Sequence, residues 1–327
     1  MNLRQAYEGK KVFITGHTGF KGTWLREYLH LLGVDSIFGY DLSDNCDIED
    51  REKLHHAMVS QRFDFYFHLA AQSQVGIGYE RPLDTYCTNV LGTCNFLDGL
   101  RHINWPSAAV IVTTDKVYQH QLIGHAFTES EPLGGHDPYS SSKACADLAA
   151  QSWHQSWFKE SSPVWLATAR AGNVIAGGDT LLGRIVPNFF HHLKRGEPVK
   201  LWMPHAVRPW MHAIDCIEGY LTLGAKLLAR EAYSPAFNFG PSDNGFKGHR
   251  TVKELTLELI RHCGGTFEQV EPKFFEQRSI FLNCERAWKQ LGWKTRISFE
   301  DAVRLTAEWH ENPGIETTRH QIKGLCP

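Results

Sequence analysis

The chain of 327 residues is poor in several features that would each point to a function class. Its eight cysteines (Cys46, Cys87, Cys94, Cys145, Cys216, Cys263, Cys284, Cys326) form no CxxC pair, so neither a disulfide framework nor a cysteine zinc site is expected; they read as free, reduced thiols. The eighteen histidines are scattered and make no HExxH array, which argues against a metal centre. Charge of one sign is not in excess: the formal net charge is -2 with 21% charged residues, so no nucleic-acid partner and no anionic membrane surface is expected. No apolar run approaches membrane-spanning length. The N-terminal residues are polar through Lys10 and Lys11 and then enter a strand, without the apolar stretch of a signal peptide, so the expected location is cytoplasmic. Internal repeats, low-complexity tracts and Pro/Ser-rich linkers are also missing, which predicts lobes packed together around a cleft.

What is present is an alternation of strand and helix patterns. Val12 to Thr15 is a short apolar run ending in Gly16, after which Trp24, Leu25, Tyr28, Leu29 and Leu32 recur at helical spacing up to Gly33. Further strands are expected at Ser36 to Tyr40, Phe65 to Leu69, Ala109 to Val112 and Val164 to Ala169, separated by helical stretches. This is the pattern of an α/β chain with a Rossmann-type doubly wound parallel sheet and a smaller α/β C-terminal substrate lobe. The dinucleotide-binding part is expected over 1–170, with 211–242 returning to it through a short strand at Phe237 to Gly240. The second lobe is expected over 171–210 and 243–327, with helices near Ile185 to Lys194, Val252 to Cys263, Cys284 to Leu291 and Phe299 to Glu308.

Three motifs carry chemistry. Gly16-His17-Thr18-Gly19-Phe20-Lys21-Gly22 stands between the first strand and first helix, where glycines permit a tight turn and a close approach of backbone to a pyrophosphate at the helix N-terminus. Asp41 ends the second strand, where a carboxylate suits an adenosine ribose and repels a 2′-phosphate; NAD is therefore expected over NADP. Tyr139 and Lys143 form Tyr-x-x-x-Lys, one helical turn apart on one face, and the predicted ammonium beside the phenol would favour its ionised form. Thr113-Thr114-Asp115-Lys116 follows the fourth strand at the edge where open α/β sheets bind ligands. Eliminating water from a sugar needs one group to take a C5 proton and another to protonate the departing hydroxyl, and Lys116 and Asp115 suit those two tasks.

With these residues in hand, nearly the whole chain resembles the extended short-chain dehydrogenase/reductases, and within them the CDP-glucose 4,6-dehydratases. The resemblance runs through Gly16 to Gly22, His68-Leu69-Ala70-Ala71-Gln72, Thr88-Asn89-Val90-Leu91-Gly92-Thr93, Thr114-Asp115-Lys116, Tyr139 to Lys143, Ala171-Gly172-Asn173-Val174-Ile175 and Arg208-Pro209-Trp210. Lys116 is its sharpest element, since dTDP-glucose dehydratases carry Thr-Asp-Glu there. The resemblance implies an NAD-dependent dehydration in which Tyr139 and Thr114 act on the C4 hydroxyl, with Asp115 and Lys116 serving the elimination. A raised pKa for Asp115 is expected on this reading. The cofactor positions it implies are Gly16, Thr18, Gly19, Phe20, Lys21, Gly22, Asp41, Asp47, Ile48, Leu69, Ala70, Ala71, Thr88, Thr113, Tyr139 and Lys143. The implied substrate contacts are Gln72, Asn173, Arg184 and Arg208, with arginine suited to a diphosphate. A homodimer through the helices around Leu91 to Leu100 and Ala144 to Phe158 is implied too. Departures from the family pattern lie at Gly76, where many relatives carry arginine, at Asp179-Thr180-Leu181, which lacks a tryptophan, and in the short Ser43 to Cys46 connection. The leading substrate is CDP-glucose among NDP-sugars. An NDP-sugar 4-epimerase and a non-catalytic sugar-nucleotide-binding protein are the rival readings.

Overall fold

The computed structural model describes residues 2–119, 125–159, 161–241, 248–274 and 277–325. Six parallel strands form the central sheet: β1 (Lys11–Thr15), β2 (Ser36–Tyr40), β3 (Phe65–His68), β4 (Ser107–Thr114), β5 (Val164–Ala171) and β6 (Ala236–Phe239). Their spatial order is β6-β5-β4-β3-β1-β2. The chain thus leaves β1 toward β2 and returns on the other side of β1 as β3, so the crevice between the ends of β1 and β3 is the topological switch point. Register aligns the carboxyl ends: Thr15 is paired with Tyr40 and His68, and Thr114 with Ala171. Every motif singled out above therefore opens on one edge of the sheet.

Period-two alternation inside these strands feeds two cores, one on each face. Val12, Ile14, Phe65, Phe67, Val110 and Val112 point to one face, where Trp24 and Leu25 of α1 (Phe20–Leu32) and Ile217 and Tyr220 of α6 (Ala213–Leu228) cover them. Phe13, Tyr66, Ala109 and Ile111 point to the other, under α2 (Arg51–Val59), α3 (Gly92–Leu100) and α4 (Pro138–Ser156). Since both faces are dry, the strands read as nearly unbroken apolar runs. A third core joins α5 (Ile185–Arg195), α7 (Val252–Cys263) and α8 (Phe299–Glu311) through Val186, Phe189, Leu255, Leu259 and Val303. Around it lie paired short strands, Asn173–Ile175 with Trp210–His212 and Val199–Leu201 with Phe267–Gln269.

The expected strand at Phe237 to Gly240 is found as β6, parallel to β5, and so closes the sheet on that side. The short Ser43 to Cys46 connection contains a 3-10 turn at Leu42–Asp44 and leaves β2 as the sheet edge. Two helices have no counterpart in the sequence reading, Leu3–Tyr7 and α9 (Ile315–Leu325). The latter has few apolar residues; Ile322 packs into the first core, and polar contacts add to its hold, Arg319 Nε to Glu27 Oε2 at 2.7 Å and Gln321 Nε2 to Leu305 O at 2.8 Å. The seven described cysteines are free; Cys326 and the predicted lobe boundary at 242 lie outside the described residues.

Candidate active site

The glycine loop is shaped by close approach. Gly16 has φ +72, and a Cβ there would lie 2.6 Å from Ala70 N; a Cβ on Gly22 would lie 2.1 Å from Gly16 O. No side chain other than hydrogen fits either position. Gly19 caps α1 without a side-chain hydrogen bond, and the first turn holds no acidic residue, so the helix start keeps donors for an anion while Thr18 and Gly19 stay exposed. Asp41 Oδ2 accepts from Thr18 N at 3.4 Å and Oδ1 from Ser43 N at 3.2 Å, so this carboxylate both caps its own turn and faces the glycine loop. A dinucleotide fits this loop: backbone meets backbone at the turn, donors face outward, and a carboxylate stands beside them.

Around the loop the other expected cofactor positions divide. Asp47, Ile48 and Thr88 come together, with Tyr40 Oη donating to Asp47 O at 3.0 Å and Thr88 Oγ1 donating to Glu49 Oε1 at 2.7 Å. The Ile48 side chain, however, is buried beneath Gly92 and belongs to the core. Leu69 packs partly into the first core, and Ala70 N donates to Thr15 Oγ1 at 3.2 Å, so the β3 end lies along the loop through its backbone.

A cleft of about 490 Å³ opens beside the loop, lined among others by Lys21, Thr113, Thr114, Asp115, Lys116 and Tyr139. Asp115 is 2% exposed and its Oδ1 accepts from Thr114 Oγ1 at 3.0 Å. Tyr139 follows Asp137 and Pro138 at the start of α4, where Asp137 Oδ1 accepts from Ser140 N at 2.9 Å; a cap of this kind contributes about 1 kcal/mol and sets the helix entry. Burial pushes the Tyr139 phenol up to about 12, while Arg184 and a hydrogen bond to Thr114 pull it back down.

Lys143 departs from expectation. Its Nζ is buried and donates to Val112 O at 2.9 Å; the groups favouring the Tyr139 phenolate are Arg184 and Thr114. Burial, followed by repulsion from Lys21, brings Lys143 down to about 7 against the pull of Asp147. Helical spacing set the two side chains on one face, but the β4 carbonyl at the end of the lysine's reach decided where its nitrogen goes.

The predicted substrate contacts also divide. Asn173, Arg184 and Arg208 line the cleft. Arg184 spans it, with Nη1 on Asp179 Oδ1 and Oδ2 at 3.0 and 2.9 Å and Nη2 on Ser73 Oγ at 2.6 Å. Asn173 Oδ1 is buried and accepts no hydrogen bond among the described residues, which leaves it an acceptor without a donor in the cleft wall. Gln72 is not part of that wall: its amide donates to Gln74 O at 3.1 Å and Thr85 Oγ1 at 2.8 Å, bracing its own loop and tying it to the helix at Pro82–Tyr86.

Several shaping residues escaped the sequence reading. Asn89 sits in a π-helical turn at Cys87–Leu91 and is 1% exposed; it exchanges hydrogen bonds with the Gln72 backbone at 2.8 and 2.9 Å and donates to Ser142 Oγ at 2.9 Å, tying the β3 loop to α4. Asp147, four residues beyond Lys143 on the same helix face, accepts from Thr113 Oγ1 at 2.8 Å and pairs with buried Arg170. The signal for Arg170 was visible as a lone charge within an apolar strand. Away from the cleft, His55, Asp98 and His102 offer ligand atoms within 4.8 Å of one another, but Asp98 is already bound by Arg51 and Arg101, at 2.7 and 2.8 Å.

Comparison with known proteins gives the family and the fold. Residues 12–239 match the model of the NAD dependent epimerase/dehydratase family. The chain is 34% identical to a CDP-glucose 4,6-dehydratase of Salmonella typhimurium, covering 93% of this chain and 91% of that protein. It is 22% identical to a dTDP-glucose 4,6-dehydratase of Haemophilus influenzae, over 91% and 97%. Among solved structures, a dTDP-glucose 4,6-dehydratase from Streptomyces venezuelae with NAD bound superposes with a TM-score of 0.80 at 23% identity, covering 92% of this chain and 97% of that one. A UDP-glucose 4-epimerase from Thermus thermophilus complexed with NAD does so with 0.80 at 22%, over 93% and 100%. On the family match and the identity to the Salmonella protein together, this chain belongs to the NAD dependent epimerase/dehydratase family.

Proposed function

We propose that this chain is a sugar-nucleotide 4,6-dehydratase that converts CDP-D-glucose to CDP-4-keto-6-deoxy-D-glucose with NAD as a catalytic cofactor. The observation that carries the reading is the placement of Asp115 and Lys116 in one cleft with Thr114 and Tyr139. A 4-epimerase would need the last two and give the first two no acid-base task. The 34% identity to the Salmonella enzyme supports the same choice.

Gly16, Thr18, Gly19, Phe20 and Gly22 would hold NAD, with Asp41 at the ribose, and the bound dinucleotide would supply a hydride acceptor for C4 and a hydride donor for C6. The chain's residues move the protons. Tyr139 Oη takes the C4 hydroxyl proton, steadied by Thr114, with the Arg184 charge opposing the penalty that burial places on the phenolate. The ketone acidifies C5, the uncharged amine form of Lys116 takes the C5 proton, and the protonated Asp115 carboxyl gives its proton to the C6 hydroxyl as water leaves. Arg184 and Arg208 meet the diphosphate, and Asn173 Oδ1 accepts from a sugar or nucleotide donor.

The same reading includes a homodimer through the face formed by α4, α3 and the turn that leads into α3, where Leu148 and Leu91 are 51% and 50% exposed. Light scattering at micromolar concentration that finds only monomer refutes it. Among the described residues no helix is long and apolar enough to cross a membrane, and action in the cytoplasm is part of the proposal.

The deciding experiment incubates the pure protein and NAD with CDP-, dTDP-, GDP- and UDP-sugars and reads the products by mass spectrometry. Loss of one water from the CDP-sugar is the expected result. Water loss from another nucleotide alone corrects the substrate, and isomerisation without water loss refutes the dehydratase.

A further inference from the structure

Lys21 is a cation in a costly position. It is the second residue of α1, where the helix dipole disfavours positive charge, and no acidic residue stands in that first turn. Burial pushes its ammonium down and Arg184 adds to the effect, while Cys216, Asp115 and Asp179 act against it. Its Nζ lies 3.2 Å from Tyr220 Oη, and Tyr220, fully buried on α6, is itself hydrogen-bonded to Cys216. Fastening α1 to α6 would need only a neutral donor. The residue that stands there is instead a lysine, and it lines the same cleft as Thr114, Asp115 and Tyr139.

We propose that Lys21 is a further active-site cation whose charge makes the site favour the reduced over the oxidised dinucleotide, an inference that rests on the dehydratase reading above. In the oxidation half-reaction the C4–H bond gives its electron pair and hydrogen to the nicotinamide ring, the C4 hydroxyl gives its proton to Tyr139, and a C4=O bond forms. The ring thereby goes from one positive charge to none, and it must lie within reach of the carbon beside Tyr139. A fixed ammonium in that wall repels the ring before transfer and not after it, and desolvation strengthens the repulsion. The glycine loop thus both cradles a pyrophosphate and biases the chemistry.

The experiment titrates the full-length protein with NAD+ and with NADH at pH 7, without sugar, following tryptophan quenching, for wild type and for Lys21→Met, Lys21→Gln and Lys21→Arg. The expected result is tighter NADH binding in wild type, a ratio of dissociation constants moved about tenfold toward NAD+ in Lys21→Met and Lys21→Gln, and a ratio within about twofold of wild type in Lys21→Arg. Lys21→Gln keeps a donor for Tyr220 and so reports on charge even where Lys21→Met fails to fold. Equal weakening of both forms, or an unmoved ratio in both neutral variants, overturns the proposal. Because no sugar is present, this outcome is independent of the water-loss assay that judges the dehydratase reading.

Discussion

Arg170 lies bidentate on Asp147, Nη2 to Oδ1 at 2.7 Å and Nε to Oδ2 at 2.9 Å, with both side chains shut away from solvent. Asp147 also accepts from Thr113 and from Gln151 Nε2 at 2.8 Å, and Arg170 Nη1 donates to Tyr118 Oη at 3.0 Å. The pair therefore joins β4, β5 and α4 directly behind Lys143.

Removing one partner leaves the other charge buried and unpaired, so Asp147→Ala is expected to cost about 3–5 kcal/mol. Removing both charges in Asp147→Leu with Arg170→Met is expected to cost less than that single change. Urea unfolding measures both, and an Asp147→Ala variant within about 1 kcal/mol of wild type would contradict the account.

Acid stability follows from two histidines buried in neutral form. Burial, with a smaller push from Lys143, holds His68 at about 3, between Thr15 Oγ1 at 2.8 Å and Thr93 Oγ1 at 3.0 Å; burial alone holds His212 at about 3. Both folded values lie below the ordinary 6.5, so the unfolded chain binds more protons between pH 6.5 and 3 and stability falls as pH falls through that window. Each group removes about 2 kcal/mol by pH 5. Denaturation midpoints at pH 7 and pH 5 should diverge accordingly, and less so in a His68→Asn variant that still folds.

The division of labour in the cleft separates three variants. Tyr139→Phe is expected to lose about 10²- to 10⁴-fold in rate and to show no reduced cofactor. Asp115→Asn should still oxidise C4, accumulate reduced cofactor and exchange the C5 hydrogen with heavy water. Lys116→Met should accumulate reduced cofactor without that exchange. C5 exchange persisting in Lys116→Met would remove the lysine from its role.

Glycine at 22 is a steric requirement. Gly22→Ala places a Cβ 2.1 Å from Gly16 O and 2.8 Å from His17 Cα, all backbone, and is expected to cost about 1–3 kcal/mol along with NAD affinity. Gly324→Ala, at a helical glycine with nothing within 4 Å, serves as the contrast and should be neutral or stabilising by up to about 1 kcal/mol. Equal thermal stability for both variants would refute the steric argument.

The residue order by itself determined the alternating strands and helices, the glycine turn, the Asp115-Lys116 and Tyr139-Lys143 pairs and the edge of the sheet on which they open. Those are local matters: spacing within a strand or helix is set by periods of two and 3.6 residues, and a turn after a strand can only open at that strand's end. Tertiary structure decided the rest. It sent Lys143 Nζ to Val112 O, turned the Gln72 amide back onto its own loop, sank Ile48 into the core beneath Gly92, and brought Asn89 between the β3 loop and α4. It also set Lys21 against Tyr220, 199 positions away. Each of these depends on which donor, acceptor or void the packed neighbour presents, and residues far apart in the chain become neighbours only when the sheet and its covering helices are assembled.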